Sequence, residues 1–308
     1  KKYSPPLILQ RADPCILLGE DGFYYFTASV PEFDRIELRR AETIEGLAHA
    51  QPAVIWRKHE SGPMSRYIWA PEIHRIGGEW VVYFAATGHE PDGNGVFDHR
   101  IFALSNSSEN PMEGSFMERG QIDTGMESFC LDASSFTCGG KRYFVWAQRD
   151  YAIPGNSNLY IAEMLSATKL RLPAVLLSKP EFDWECQGFL VNEGPSVLRH
   201  GGRLYLTYSG SATDERYAMG MLEAAESADL LNPQSWTKRV QPVMVTDEAR
   251  GIYGPGHNSF TTDRDGRDLL VFHARPYPGF QGSPLSDPNR NTYVWPVEYG
   301  IDGRPTFG

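Results

Sequence analysis

The stretch Gly22-Phe-Tyr-Tyr-Phe-Thr-Ala-Ser29 opens on a glycine and runs on as an aromatic-rich apolar segment, and it has four counterparts further along the chain. They are Gly78-Glu-Trp-Val-Val-Tyr-Phe-Ala85, Gly140-Lys-Arg-Tyr-Phe-Val-Trp-Ala147, Gly202-Arg-Leu-Tyr-Leu-Thr-Tyr-Ser209 and Gly266-Arg-Asp-Leu-Leu-Val-Phe-His273. Successive first glycines are 56, 62, 62 and 64 residues apart. A tight turn such as Glu20-Asp21-Gly22 or Gly139-Gly140 precedes each copy. Gly-Gly and Asp-Gly pairs favour hairpins because glycine takes positive φ without steric cost. Another short β-like segment lies before each turn, at 14–18, 71–76, 133–137, 195–199 and 258–262. A third strand is expected at 35–39, 100–104, 158–162, 217–221 and 292–295, and a fourth is plausible at 53–56 and 174–177.

Four antiparallel strands repeating about every sixty residues describe a blade with enlarged loops. Five copies predict an all-β, five-bladed β-propeller. A sandwich has no reason to repeat five times. The 22 prolines and 30 glycines fit many short strands joined by turns. The whole chain, 1–308, is expected to be a single catalytic propeller domain with no carbohydrate-binding module, closing near Gly303-Arg-Pro-Thr-Phe307.

Composition narrows the class of partner. Net charge is −10, whereas phosphate neutralisation needs clustered Lys and Arg, so no nucleic acid is expected. No stretch approaches eighteen consecutive apolar residues, so no membrane partner is expected either. An oligosaccharide is compatible with both facts. The four cysteines, Cys15, Cys130, Cys138 and Cys186, lack zinc-ligand spacing and are expected to be reduced and mostly buried. The opening Lys1-Lys2-Tyr3-Ser4-Pro5 is followed only by the apolar run Leu7-Ile8-Leu9, which is short for a signal-peptide core. A cytoplasmic location is favoured on that ground, with secretion open if a leader has been removed.

Eight or nine residues before each of the five glycines stands Asp13, Ala70, Asp132, Glu193 or His257. If the first strand of a blade is innermost, these residues meet around the axis at one mouth of the central channel. Three acids crowded at one register position would repel one another and be desolvated, driving their pKa values apart. One carboxyl can then remain a protonated acid while another remains an ionised base. The long loops at 30–34, 88–99, 149–157, 210–216 and 276–291 leave the second strands at the same face, the placement of binding loops on a rigid scaffold. Arg275 ends a second strand and should arrive beside the acids, neutralising them or holding a hydroxyl. Trp69, Phe33 and Phe129 offer faces for sugar stacking, and His257 is either a structural histidine or a metal ligand.

The motifs Arg11-Ala-Asp-Pro14, Trp69-Ala-Pro-Glu-Ile-His74, Leu131-Asp132-Ala-Ser134, Glu193-Gly-Pro-Ser196 and Gly256-His-Asn-Ser259, in this order and spacing, resemble glycoside hydrolase family 43. The likeness covers essentially the whole chain. It implies a five-bladed propeller cleaving arabinose- or xylose-containing glycans with inversion. Asp13 would be the general base, Glu193 the general acid, and Asp132 the residue that tunes and orients the acid. His257 would stand near a central, mostly water-coordinated calcium, with no organic cofactor, and Arg275 would meet sugar hydroxyls. Inversion implies carboxyls of Asp13 and Glu193 roughly 6.5–9.5 Å apart, leaving room for water. Ser29-Val-Pro-Glu-Phe-Asp-Arg-Ile-Glu-Leu-Arg-Arg40 and Trp56-Arg-Lys-His-Glu60 resemble the exo-acting α-L-arabinofuranosidases, so the loop at 30–35 is expected to help form the pocket. Removal of terminal arabinofuranose is the expected reaction. The alternatives are a β-xylosidase using the same acids and a non-catalytic glycan-binding propeller.

Overall fold

Each of the five quoted segments is the second strand of its own antiparallel sheet: Tyr24–Ser29, Glu79–Thr87, Lys141–Gln148, Arg203–Gly210 and Asp268–Arg275. The structure, a computed structural model, describes residues 5–308. Inside each second strand lies an innermost strand: Ala12–Leu18, Arg66–Ile76, Cys130–Cys138, Asn192–His200 or Tyr253–Thr262. Outside it lies a third: Arg35–Ala41, Arg100–Asn106, Asn158–Ser166, Ala218–Ala225 or Asn291–Pro296. The fourth strands of the first four sheets are Ala53–Arg57, Met117–Gln121, Val175–Ser178 and the short Thr237–Lys238. The result is a five-bladed β-propeller.

The fifth blade has three strands of its own, and its outer edge is covered from the other end of the chain. Ile8 bridges antiparallel to Thr292, with Leu7 N–H donating to Thr292 O at 2.7 Å and Thr292 N–H to Ile8 O at 2.8 Å. Pairing the edge in this way closes the ring and removes an open row of backbone donors and acceptors.

Alternation of side chains along the strands puts apolar groups on both faces of every blade, so the core is five wedges, one between each pair of neighbours. Tyr83 of the second blade and Phe144 of the third meet edge-on at 5.1 Å, both fully buried. Ile16, Tyr24 and Phe26 of the first blade pack with Val271 of the fifth. Burial of one such side chain contributes on the order of 1.5–3 kcal/mol. Cys15, Cys130 and Cys138 are buried thiols and Cys186 is partly covered, all four unpaired, as expected.

The innermost strands depart from expectation at their starts. They do not begin at the residues singled out above but run through them, and the reason is a bulge in every blade.

Candidate active site

Pairing between first and second strands slips by one residue at the same place in all five blades. Two residues of the inner strand oppose one of its partner between Ala12 and Cys15, Trp69 and Glu72, Leu131 and Ser134, Glu193 and Ser196, and Gly256 and Ser259. The first extra residue of each bulge is left-handed: Asp13 at φ 54°, Ala70 at 46°, Asp132 at 61°, Gly194 at 59° and His257 at 41°. Bulges re-aim side chains, and non-glycine residues at positive φ gather at functional sites.

These bulges correct the expected register. Asp13, Asp132 and His257 are equivalent, but the fourth blade carries Gly194 at that position, not an acid. Glu193 stands one position earlier, where the second and third blades carry Trp69 and Leu131, and all three of those line the same cavity. Glu193 is thus a wall residue, while the two aspartates belong to the axis. Gly194 must be small, because a Cβ there would stand 3.1 Å from His257 Cγ.

The turned backbone amides are caught by the preceding blade. Ala70 N–H donates to Ser29 Oγ at 2.7 Å, His257 N–H to Ser209 Oγ at 2.7 Å, and, across the ring closure, Asp13 N–H to His273 Nδ1 at 2.9 Å. Because His273 Nδ1 accepts from an amide, this ring is neutral, and burial pushes its pKa down to about 4. Gly194 N–H instead donates to Asp132 Oδ2 at 3.0 Å.

The three acids share one charge system. His257 Nδ1 lies 3.1 Å from Asp13 Oδ1 and 3.7 Å from Asp132 Oδ2. Burial disfavours the His257 cation, but Asp132, Asp13 and Glu193 outweigh it and raise its pKa to about 10. Burial likewise opposes ionisation of Asp13. The His257 cation and its hydrogen bond, with Arg290 at 3.8 Å, prevail and hold this carboxyl well below the usual range. Ser29 Oγ–H adds a 2.6 Å hydrogen bond to Asp13 Oδ2. Asp132 is raised by burial and by the Asp13 charge. Glu193 is raised furthest, to about 8, by burial and then by Asp132, with His257 and Tyr217 acting against the shift. At neutral pH the site therefore holds one firmly ionised carboxylate and one protonated carboxyl.

The cavity over these groups measures about 350 Å³, within the range of small-molecule sites. Its walls are largely apolar and include Phe97, Phe129, Phe189, Val191 and Leu285 besides Trp69 and Leu131. Trp69 stacks on His99 at 3.8 Å and 14° and meets Phe97 edge-on at 4.8 Å, which fixes the indole in the cavity wall. His99 is fully buried, and burial keeps it neutral, with a pKa near about 3.

Two expected contacts lie elsewhere. Phe33 does not line this cavity: it meets Trp69 edge-on at 6.2 Å from behind, and the loop at 30–35 with it borders a much smaller recess. Arg275 does not reach the acids. It is 3 % exposed and donates to the carbonyls of Thr213, at 2.5 Å, and Pro284, at 2.8 Å, tying two cavity-lining loops together. Arg290, fifteen residues on, is the arginine beside Asp13 and in the cavity wall. Two further residues of the site carry no motif in the sequence: Tyr217, whose hydroxyl donates to Glu193 Oε1 at 2.9 Å, and His273. Tyr217 stands one residue before the third strand of its blade, the position that His99 and Arg290 hold in the second and fifth blades.

Calcium was expected near His257. Its Nδ1 faces the two aspartates, so a calcium would have to meet this ring at Nε2. Among the described residues no group of three His, Cys, Asp or Glu side chains could hold a metal ion.

Comparison with known proteins adds to this picture. The family model for glycosyl hydrolases family 43 matches residues 3–305. A crystal structure of an alpha-L-arabinofuranosidase from Lactobacillus brevis is 54 % identical, superposes with a TM-score of 0.97 and covers 99 % of this chain and 96 % of its own. An extracellular exo-alpha-(1->5)-L-arabinofuranosidase of Streptomyces avermitilis is 52 % identical over 307 residues, 99 % of this chain, and one of the same description from Streptomyces chartreusis is 49 % identical over 283, 92 % of this chain. The chain spans 63 % of the length of the first of these relatives and 85 % of the second.

Proposed function

The chain belongs to glycosyl hydrolases family 43, and from that membership we propose that it is an inverting α-L-arabinofuranosidase. It removes terminal arabinofuranose from α-1,5-linked arabino-oligosaccharides, arabinan or arabinoxylan side chains. The substrate class is supported by the activities that the Lactobacillus and Streptomyces relatives carry in their names. The extracellular designation of the two Streptomyces proteins supports secretion over the cytoplasmic location favoured from the sequence.

One observation carries the chemistry: Asp13 and Glu193 line the same cavity with pKa values driven in opposite directions. Glu193, protonated at neutral pH, gives its proton to the glycosidic oxygen as the C1–O bond breaks, and the rest of the glycan leaves as an alcohol. Water adds to C1 from the opposite face and loses its proton to ionised Asp13, so the configuration inverts. Asp132 keeps negative charge near Glu193 and holds the Gly194 amide, fixing the acid's backbone. Trp69 and Phe129 give the sugar apolar faces, and Arg290 offers donors to its hydroxyls.

The pH dependence follows by sign. The acid must be protonated, so kcat/KM is expected to fall about tenfold per unit above roughly pH 8, while the acid limb lies well below the usual carboxylate range. A profile still flat at about pH 10 would remove Glu193 from the acid role. Substrate class is tested by nitrophenyl arabinofuranoside against nitrophenyl xyloside, and by the products from linear arabinan. Arabinofuranoside preference with free arabinose as the product is expected. Xyloside preference, or long fragments alone, would overturn the assignment.

A further inference from the structure

Tyr217 holds the acid from behind. Its hydroxyl is 2.9 Å from Glu193 Oε1, and its ring packs against the fifth blade. It lies parallel to His273, 9° between planes at 5.8 Å, and rests on Gly256, the residue paired with His273, where an added Cβ would come within 2.3 Å of Tyr217 Cε2. Tyr217 is 1 % exposed, and burial and the three acids hold its pKa far above the ordinary phenol value, so it stays a hydroxyl.

The Tyr217 hydroxyl donates to Glu193 Oε1. A carboxyl accepting at Oε1 carries its proton at Oε2.

We infer that Tyr217 is a positioning residue that reserves Oε1 of Glu193 as an acceptor and so assigns the transferable proton to Oε2. Without it, the proton is shared between two oxygens and the carboxyl is free to turn about its last bond. The effect concerns proton donation to the leaving group, not sugar binding. The inference rests on Glu193 being the acid. The groups facing Glu193 from the other blades, Asp13, Asp132 and His257, are untouched by a change at Tyr217.

Leaving-group dependence tests this. Tyr217→Phe keeps the ring and its stacking. Its kcat/KM is expected to drop by about tenfold or more on arabinobiose and alkyl arabinofuranosides, whose leaving groups need a proton, and by less than about threefold on dinitrophenyl arabinofuranoside, which does not. KM should change little. An equal loss on all substrates would mean a merely structural role, and no loss on any would end the inference. Glu193→Gln, run beside it, separates the two readings. If it too shows no leaving-group dependence, the acid assignment fails first; if it shows that dependence and Tyr217→Phe does not, only the Tyr217 inference falls. Should Tyr217→Phe fail to fold by circular dichroism, replacing Tyr217 by a fluorotyrosine, which keeps the ring and strengthens the hydroxyl as a donor, is expected to alter kcat/KM on arabinobiose while leaving dinitrophenyl arabinofuranoside unchanged, and an equal effect on both would overturn the proposal.

Discussion

Glu193→Gln is expected to lower kcat on arabino-oligosaccharides by about 10²–10⁴-fold. Glutamine matches the shape of the protonated carboxyl and can still accept from Tyr217, but it has no proton to give. The substitution should leave the fold intact, because at neutral pH it replaces one neutral group by another. Stability should change in a pH-dependent way. A carboxyl whose folded pKa lies above its unfolded value binds more protons in the native state, so its favourable contribution is present below the unfolded pKa, near about 4.3, and is lost as pH rises through about 8. Calorimetry should therefore show the variant melting at the wild-type temperature near pH 4 and above it near pH 9. Unchanged kcat would remove Glu193 from the chemistry. A melting temperature lowered at both pH values would mean that Glu193 holds the structure together.

Lys238→Met carries the largest expected effect on stability, about 3–5 kcal/mol of loss. Its partner Glu185 is completely buried, and the Lys238 ammonium lies 3.0 Å from both of its oxygens. Glu185 Oε2 also accepts from the amide of Asn192, the residue before Glu193, while Lys238 reaches the Lys179 carbonyl at 2.7 Å and Glu181 at 3.4 Å. Removing the ammonium leaves a carboxylate buried without a counter-charge, and burial already raises the pKa of Glu185. The backbone oxygen of Glu185 receives the amides of Val191 and Ser211, both cavity-lining residues, at 3.2 Å. The damage should thus spread to the wall that carries Phe189. In urea unfolding, the double change Glu185→Gln with Lys238→Met should lose less than Lys238→Met alone, since it leaves no lone charge. A single variant within about 1 kcal/mol of wild type would contradict this account.

Much of this was legible in the sequence because hydrophobic periodicity and glycine turns are local signals. The five second strands lie where the aromatic runs placed them. The convergence of Asp13, Asp132, Glu193 and His257 on one mouth followed from their near-common register. What escaped was the one-residue difference between Glu193 and the aspartates, since a bulge adds a residue without changing composition, and spacings of eight and nine look alike. Arg275 was assigned to the pocket because it ends a second strand, but its guanidinium satisfies loop carbonyls. Arg290 comes from a loop whose path no periodicity describes. Tyr217 and His273 were hidden by ordinariness, one an aromatic at the edge of a strand and the other the last residue of an apolar run.

The left-handed turn at Ala70 has a use that the chain itself leaves idle. A non-glycine residue held so costs roughly 1–2 kcal/mol, and asparagine and aspartate tolerate it better than alanine does. The second blade thus offers a ready-made socket, equivalent to those of Asp13 and Asp132, that carries only a methyl group. An engineer could install an amide or acid at Ala70 without rebuilding the backbone, adding a fifth polar group beside Asp13, Asp132, Glu193 and His257 from the one blade that lends none.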